Sequence, residues 1–444
     1  MKKLVSILIC LSLFITIFSG CSVIKNNSDT ENTIRFLNFK PEVAQEYEEI
    51  ARIYKEETGV TVIIETAASG NYEQTLMAKM STNEAPALFQ VNGPKGLESW
   101  KDYCSDLSNT EIYKHLLDKQ LALTENEKVF AIPYVVEGYG IIYNEELTDK
   151  YFALKEKNTE YNSMNDIKSY ESLKLLVEDM QRLKDKLGIK GVFASTSLKT
   201  GEDWRWHTHL ANIPIYYEFE KNNINYSSGT PSEISLNYSN NFKNIFDLYI
   251  NNSVVDRKVL GSKITDESMA EFALGQCVMV QNGNWAWNQI SNVKENVVKK
   301  EKIKFLPIYT GIDGEEKQGI CIGTENYIAI NSKLSSEKQK LAADFIYWLF
   351  SSEKGKDFVL NKLELITPFD TFKDNELPTD PLALEVINWM NKEDVYNIPW
   401  VFTIFPSQNF KQDLGAALLQ YAQGTKDWSF VEKTFTDKWK NETK

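Results

Sequence analysis

Metal-ligating and redox residues are scarce in this sequence. Its 444 residues include five cysteines and three histidines. Cys104, Cys277 and Cys321 are scattered at irregular spacing, apart from Cys10 and Cys21 near the start. That pattern excludes a disulfide framework and a C-x-x-C zinc site. These three cysteines read as buried free thiols. His207 and His209 stand two apart, and residues i and i+2 of a helix do not face each other. No metal and no cofactor is therefore expected. Positive charge is in deficit, with 49 Lys and Arg against 62 Asp and Glu, a formal charge of −13. An acidic chain of this kind argues against nucleic acid or an anionic membrane patch as partner. After the N-terminal segment no apolar run approaches the roughly 20 residues of a membrane-spanning helix. Internal repeats and low-complexity tracts are also missing.

What is present begins at the N-terminus. Lys2 and Lys3 precede a stretch from Leu4 to Phe18 without a charge. A positive start, a short apolar stretch and the small pair Ser19-Gly20 read as a secretory signal covering residues 1–20. The end of this segment, Ser19-Gly20-Cys21, resembles the bacterial lipobox, with Phe18 where that pattern prefers Leu. The resemblance implies cleavage before Cys21, lipid on Cys21 and anchorage of an exported protein to the cell membrane. Losing Lys2 and Lys3 with the signal takes the formal charge from −13 to −15. Residues 21–32 are polar and aperiodic, and read as a lipidated flexible tether.

The remaining chain is long enough for two cores. Charged residues at 25% and aromatic residues at 12% are those of a globular protein. Ile34–Phe39, Val60–Ile64 and Ala87–Val91 read as buried strands. Between them Pro41 to Gly59 and Asn71 to Ser81 have helical spacing. The β-α-β-α-β order predicts a wound, largely parallel sheet. Ligands in such sheets bind beyond the carboxyl ends of the strands. That rule selects Asn38 and Lys40 after the first strand and Asn92 after the third. Farther on, Glu137 stands between two apolar runs. A carboxylate there is costly unless something pairs with it. Its partner is either a ligand hydroxyl or a backbone group or lysine of the protein.

Three later segments bear a family resemblance. The first is Ile132-Pro133-Tyr134-Val135-Val136-Glu137-Gly138-Tyr139-Gly140-Ile141-Ile142-Tyr143-Asn144. The second runs from Gly275 to Trp287 and has the pattern G-x-x-x-M-x-x-x-G-x-W. The third, Ala342 to Gly355, follows A-x-x-F-x-x-W-L-x-S-x-E-x-G. In this order they resemble the sugar-binding group of extracellular solute-binding proteins of ABC transporters, the group of maltose-binding protein. The resemblance implies a two-lobed α/β periplasmic-binding-protein-like fold, its lobes joined by a hinge with a ligand cleft between them. The lobes are expected at 33–136 plus 306–366 and at 137–305 plus 367–444. It implies a binding protein and not an enzyme, a carbohydrate ligand, a membrane permease with a separate ATPase as partner, and a monomer. By residue match, Trp285 is similar to the family's stacking tryptophan, Glu137 to its hydroxyl-binding acid, and Trp400 lies where another ring is often placed.

A sugar has an apolar face and a rim of hydroxyls, so flat aromatics and Asp, Glu, Asn or Gln suit it. Trp204 and Trp206 join the candidates as tryptophans beside charge, of which only one can face the cleft if they lie on a helix. Tyr139 and Glu325 complete the set. Two other ligands remain open at this level. Glu137, Asp203 and Glu325 could surround a polyamine, and Tyr216-Tyr217 could bind ferric iron. A glycoside hydrolase would need a second carboxylate paired with Glu137, and none is evident.

Overall fold

The computed structural model describes residues 32–67, 69–226 and 229–443. The signal segment, Cys21 and the tether through residue 31 lie outside the described residues. The first sheet has six strands in the order β2-β1-β3-β10-β5-β4. These are β1 (Thr33–Asn38), β2 (Thr61–Thr66), β3 (Leu88–Asn92), β4 (Leu123–Glu125), β5 (Lys128–Pro133) and β10 (Asn326–Ile330). β1 pairs in parallel with both β2 and β3, as the β-α-β-α-β pattern requires, and β10 runs antiparallel between β3 and β5. The helices Ala44–Thr58 and Ser336–Ser351 cover one face and Ser69–Met80 and Gly93–Trp100 the other. Gly59 closes the first of these helices at φ +75°, a left-handed value that a residue with a Cβ adopts at a cost.

The second sheet is built around β6 (Glu137–Asn144), whose eight residues are all buried. β7 (Met279–Gly283) pairs along one edge. β8 (Ile303–Leu306) and β9 (Gln318–Gly323) share the other, and β11 (Tyr396–Ile398) extends β9 in parallel. Gly138 matters here. A Cβ on it would lie 2.7 Å from Val386, so its absence lets the helix Pro381–Met390 pack down on β6.

The chain passes between the sheets first at residues 134–136. The second passage corrects the sequence reading. β8 and β9 both belong to the second sheet, so the return falls at Thr324-Glu325 and not near residue 306. Phe369 and Phe372 still pack with the first core, and the helix from Pro381 lies on the second. The last passage therefore spans residues 373–380 and does not start at 367. Among the described residues no helix is long and apolar enough to cross a membrane.

Candidate ligand-binding site

The carboxyl ends of β1 and β3 meet the end of β9 and the start of β6 between the lobes. A cavity of ≈ 20 Å³ lies there, lined by Lys40, Glu42, Glu137, Asn284, Trp285 and Asp380, among others. Its polar centre is Glu137, only 4% exposed. Lys40 Nζ donates to Glu137 Oε1 at 2.5 Å, and Asn326 Nδ2 donates to Oε2 at 2.7 Å. The protein thus supplies Glu137 with its own partners, the lysine alternative of the sequence reading. Burial lowers the Lys40 pKa and the charges of Glu137 and Glu42 raise it, with a net rise. Asn38 does not face a ligand. Its Nδ2 donates to Lys40 O and Thr66 Oγ1, and its Oδ1 accepts from Lys40 N–H, so it shapes the turn that presents Lys40. Asn92 and Asn326 are cross-strand partners, and the Oδ1 atom of each is buried without a hydrogen bond.

The aromatic side comes from the second lobe. Trp285 follows β7 and lies over Gly283, where a Cβ would sit 2.2 Å from the indole. Trp400 lies in the same way over Gly323, at the end of β9, where a Cβ would sit 2.6 Å away. The two indoles meet edge to face at 6.3 Å, and Trp204 lies 5.9 Å from Trp285. His209 sits among all three, at 4.7 Å from Trp204, 5.7 Å from Trp285 and 5.8 Å from Trp400. Both Trp285 Nε1 and Trp400 Nε1 are buried without an acceptor. An unpaired buried donor costs about 1–3 kcal/mol, so these two indoles are poised to donate. Trp204 and Trp285 are partly exposed, and Trp400 is 5% exposed.

Trp206 is a correction. It is 1% exposed, packs against Phe246 and Tyr249, and donates from Nε1 to Ser197 O. It belongs to the core of the second lobe. The backbone explains the split between the two tryptophans. Arg205–Leu210 forms a π-helix leading into the helix Ala211–Lys221. Pro214 has no N–H to give to the carbonyl of Leu210 and its ring crowds that carbonyl, which favours a widened turn before it. Trp204, Arg205 and His209 then share the cleft side, and Trp206 and Leu210 turn inward. Tyr139 is also buried. Its hydroxyl donates to His209 O at 2.9 Å and its ring lies 4.3 Å from the imidazole, so it supports the cluster from beneath. Burial, followed by the charges of Arg205 and His207, holds His209 well below the usual histidine range and keeps it neutral.

The groups invoked for other ligands are dispersed. Asp203 faces His207 at 3.6 Å and abuts Gly415, behind the cluster. Tyr217 OH donates to Gln318 and meets Tyr396 OH, at the far ends of β9 and β11. No group of three or more metal-ligating side chains occurs among the described residues. Sequence reasoning missed His209, Asn326 and Arg205. Arg205 carried a visible signal, its place between Trp204 and Trp206, and His209 a weaker one three residues beyond Trp206.

Glu325 lies in the second passage between the lobes. Burial pushes its carboxyl up to about 7, with the Lys411 charge opposing. A carboxyl whose pKa is higher in the folded state binds its proton more tightly there. Its contribution to stability is therefore full below about 4.5 and is lost as pH rises through about 7. Glu325→Gln should flatten that part of the stability profile. Urea midpoints of both proteins at pH 5 and pH 8 check this, and an unchanged difference between the two pH values refutes it.

Comparison with known proteins fits this architecture. The model of the bacterial extracellular solute-binding protein family matches residues 49–385, so the chain belongs to that family. It is accordingly a binding protein of the extracytoplasmic space and not an enzyme. A search of the curated proteins found no match. Among solved structures it is similar to RafE in complex with raffinose, at 19% identity and TM-score 0.67, covering 92% of this chain and 99% of that one. A sugar transporter protein of Bacillus licheniformis in complex with stachyose matches at 16% identity and TM-score 0.66, over 92% and 99% of the two chains. Maltose-bound MalE3 of T. maritima matches at 14% identity and TM-score 0.67, again over 92% and 99%. Identities this low establish the shared two-lobed fold.

Proposed function

We propose that this protein captures an oligosaccharide outside the cell and hands it to the permease of an ABC importer, whose ATPase is a separate chain. The observation that carries this reading is the gathering of Trp204, Trp285 and Trp400 around His209 on the second-lobe side of the cleft. Flat rings suit sugar faces, and the unpaired Nε1 and Oδ1 atoms suit hydroxyls. The sugars held by the similar structures support the same class.

The mechanism is closure. A cavity of ≈ 20 Å³ admits no sugar ring, since ligand pockets run to about 300–1,000 Å³. The lobes, taken as 33–136 with 326–372 and 137–323 with 381–444, part to admit ligand and close over it. Closure presses the helix Gly93–Trp100 of the first lobe against Val401–Ile404 of the second. Ligand favours the closed state by touching both sides, and that state is what the permease receives. The protein acts as a monomer, held to the membrane by lipid on Cys21.

A thermal-shift panel tests the ligand class. Oligosaccharides should raise the melting temperature by mass action. A shift with spermidine or ferric citrate alone would replace the reading. Cys21→Ala should move the protein from the membrane fraction to the soluble fraction, and an unchanged distribution would remove the anchor.

A further inference from the structure

A guanidinium is buried beside the candidate site without a counter-charge. Arg205 is 4% exposed, and its Cζ lies 3.9 Å from the centre of the Trp204 ring. Its Nε donates to Asn282 Oδ1 at 3.2 Å and its Nη1 to Thr265 Oγ1 at 3.0 Å. Both acceptors are neutral, and Nη2 makes no hydrogen bond among the described residues.

The nearby acids are occupied elsewhere. Glu202 accepts from Thr265 N–H at 2.6 Å and faces Lys199 at 3.5 Å. Asp203 faces His207 and Glu42 faces Lys40. Asp266 acts on Arg205 only at longer range. Among the described residues no carboxylate lies within the 4.0 Å of an ion pair with Arg205. Burial pushes its pKa down to about 9, against the raising effect of the Glu202, Glu42 and Asp266 charges. A buried charge is normally paired, because an ion that leaves water loses its solvation.

We propose that the ligand supplies the missing charge: an oligosaccharide bearing an oxyanion, a uronate carboxylate or a sulfate ester, received by Arg205 while a sugar face stacks on the neighbouring indoles. The inference rests on the carbohydrate reading above. Hydroxyls of a neutral sugar could accept from the guanidinium, but they leave its charge unbalanced. The rigid fork of arginine matches a carboxylate or sulfate in two-point contact. The formal charge of −13 repels anions at long range, so the preference has to arise from this local contact and not from steering.

Calorimetric titration of the full chain tests the proposal with tetragalacturonate, its methyl ester, a sulfated tetrasaccharide and neutral maltotetraose and xylotetraose. The free acid or the sulfated sugar should bind at least tenfold more tightly than every neutral one, and which of the two binds identifies the oxyanion. Arg205→Gln should reduce that preference about tenfold. Equal or tighter binding of neutral sugars overturns the inference and leaves the carbohydrate reading intact. Absence of binding by any oligosaccharide overturns both. A preference unchanged in Arg205→Gln removes Arg205 from the role. If that variant does not fold, free acid against methyl ester on the wild-type protein decides, and equal affinity is the contrary result.

Discussion

Trp285→Ala should weaken oligosaccharide binding ten- to hundredfold, about 1.4–2.8 kcal/mol, while moving the melting temperature little. The indole is partly exposed and lies on the backbone at Gly283, so its removal enlarges the cleft and does not empty a core. What is lost is a stacking face together with an indole donor that has no partner in the protein. Aromatic anchors at the centre of a recognition surface often carry effects of this size. Trp206 provides the contrast. Trp206→Ala empties a buried site and should cost about 3–5 kcal/mol of stability. Trp206→Phe should keep ligand affinity within about threefold, as expected of a residue behind the site. Isothermal titration separates these results, and a Trp285→Ala protein with wild-type affinity would move the stacking surface elsewhere.

The second large effect concerns Lys40. Lys40→Met should destabilise the closed protein by about 3–5 kcal/mol, the usual result of removing one member of a buried ion pair. Glu137 would keep only Asn326 as a donor. Because Lys40 belongs to the first lobe and Glu137 opens the second, the cost falls on the closed arrangement. Parting the lobes lets water reach the carboxylate. The variant should therefore lose ligand affinity as well as stability, and should be larger in solution by small-angle scattering. Adding Glu137→Gln removes the stranded charge and should restore most of the stability. A single variant as stable as wild type, or a double variant no better than the single one, would show that the pair does not hold the lobes together.

Much of the first lobe was legible in the sequence. Its strands are short apolar runs, β-branched in β2, and its helices have clear apolar periodicity, so β-α-β-α-β followed directly. The strand-end rule selected Asn38, Lys40 and Asn92, and of these Lys40 lines the cavity between the lobes. It could not show that Lys40 reaches Glu137, because that pairing joins residues 97 apart. The second passage was hidden for a different reason. β9 and β10 are separated only by Thr324-Glu325 and look like a hairpin, yet they enter different sheets. The choice between Trp204 and Trp206 depended on a π-turn that hydrophobic periodicity does not report. Arg205 was missed because acids beside it in sequence, Glu202 and Asp203, suggest pairs that the folded chain does not make.

The position of β10 bears on how such a chain leaves the cell. It fills the middle of the first sheet, between β3 and β5, although it lies some two hundred residues beyond them in sequence. A chain emerging with its N-terminus first exposes β1, β2 and β3 early, but cannot close that sheet until residue 330 is outside. Contacts this distant are slow to form. The interleaved strands therefore leave the first sheet incomplete until most of the polypeptide has crossed.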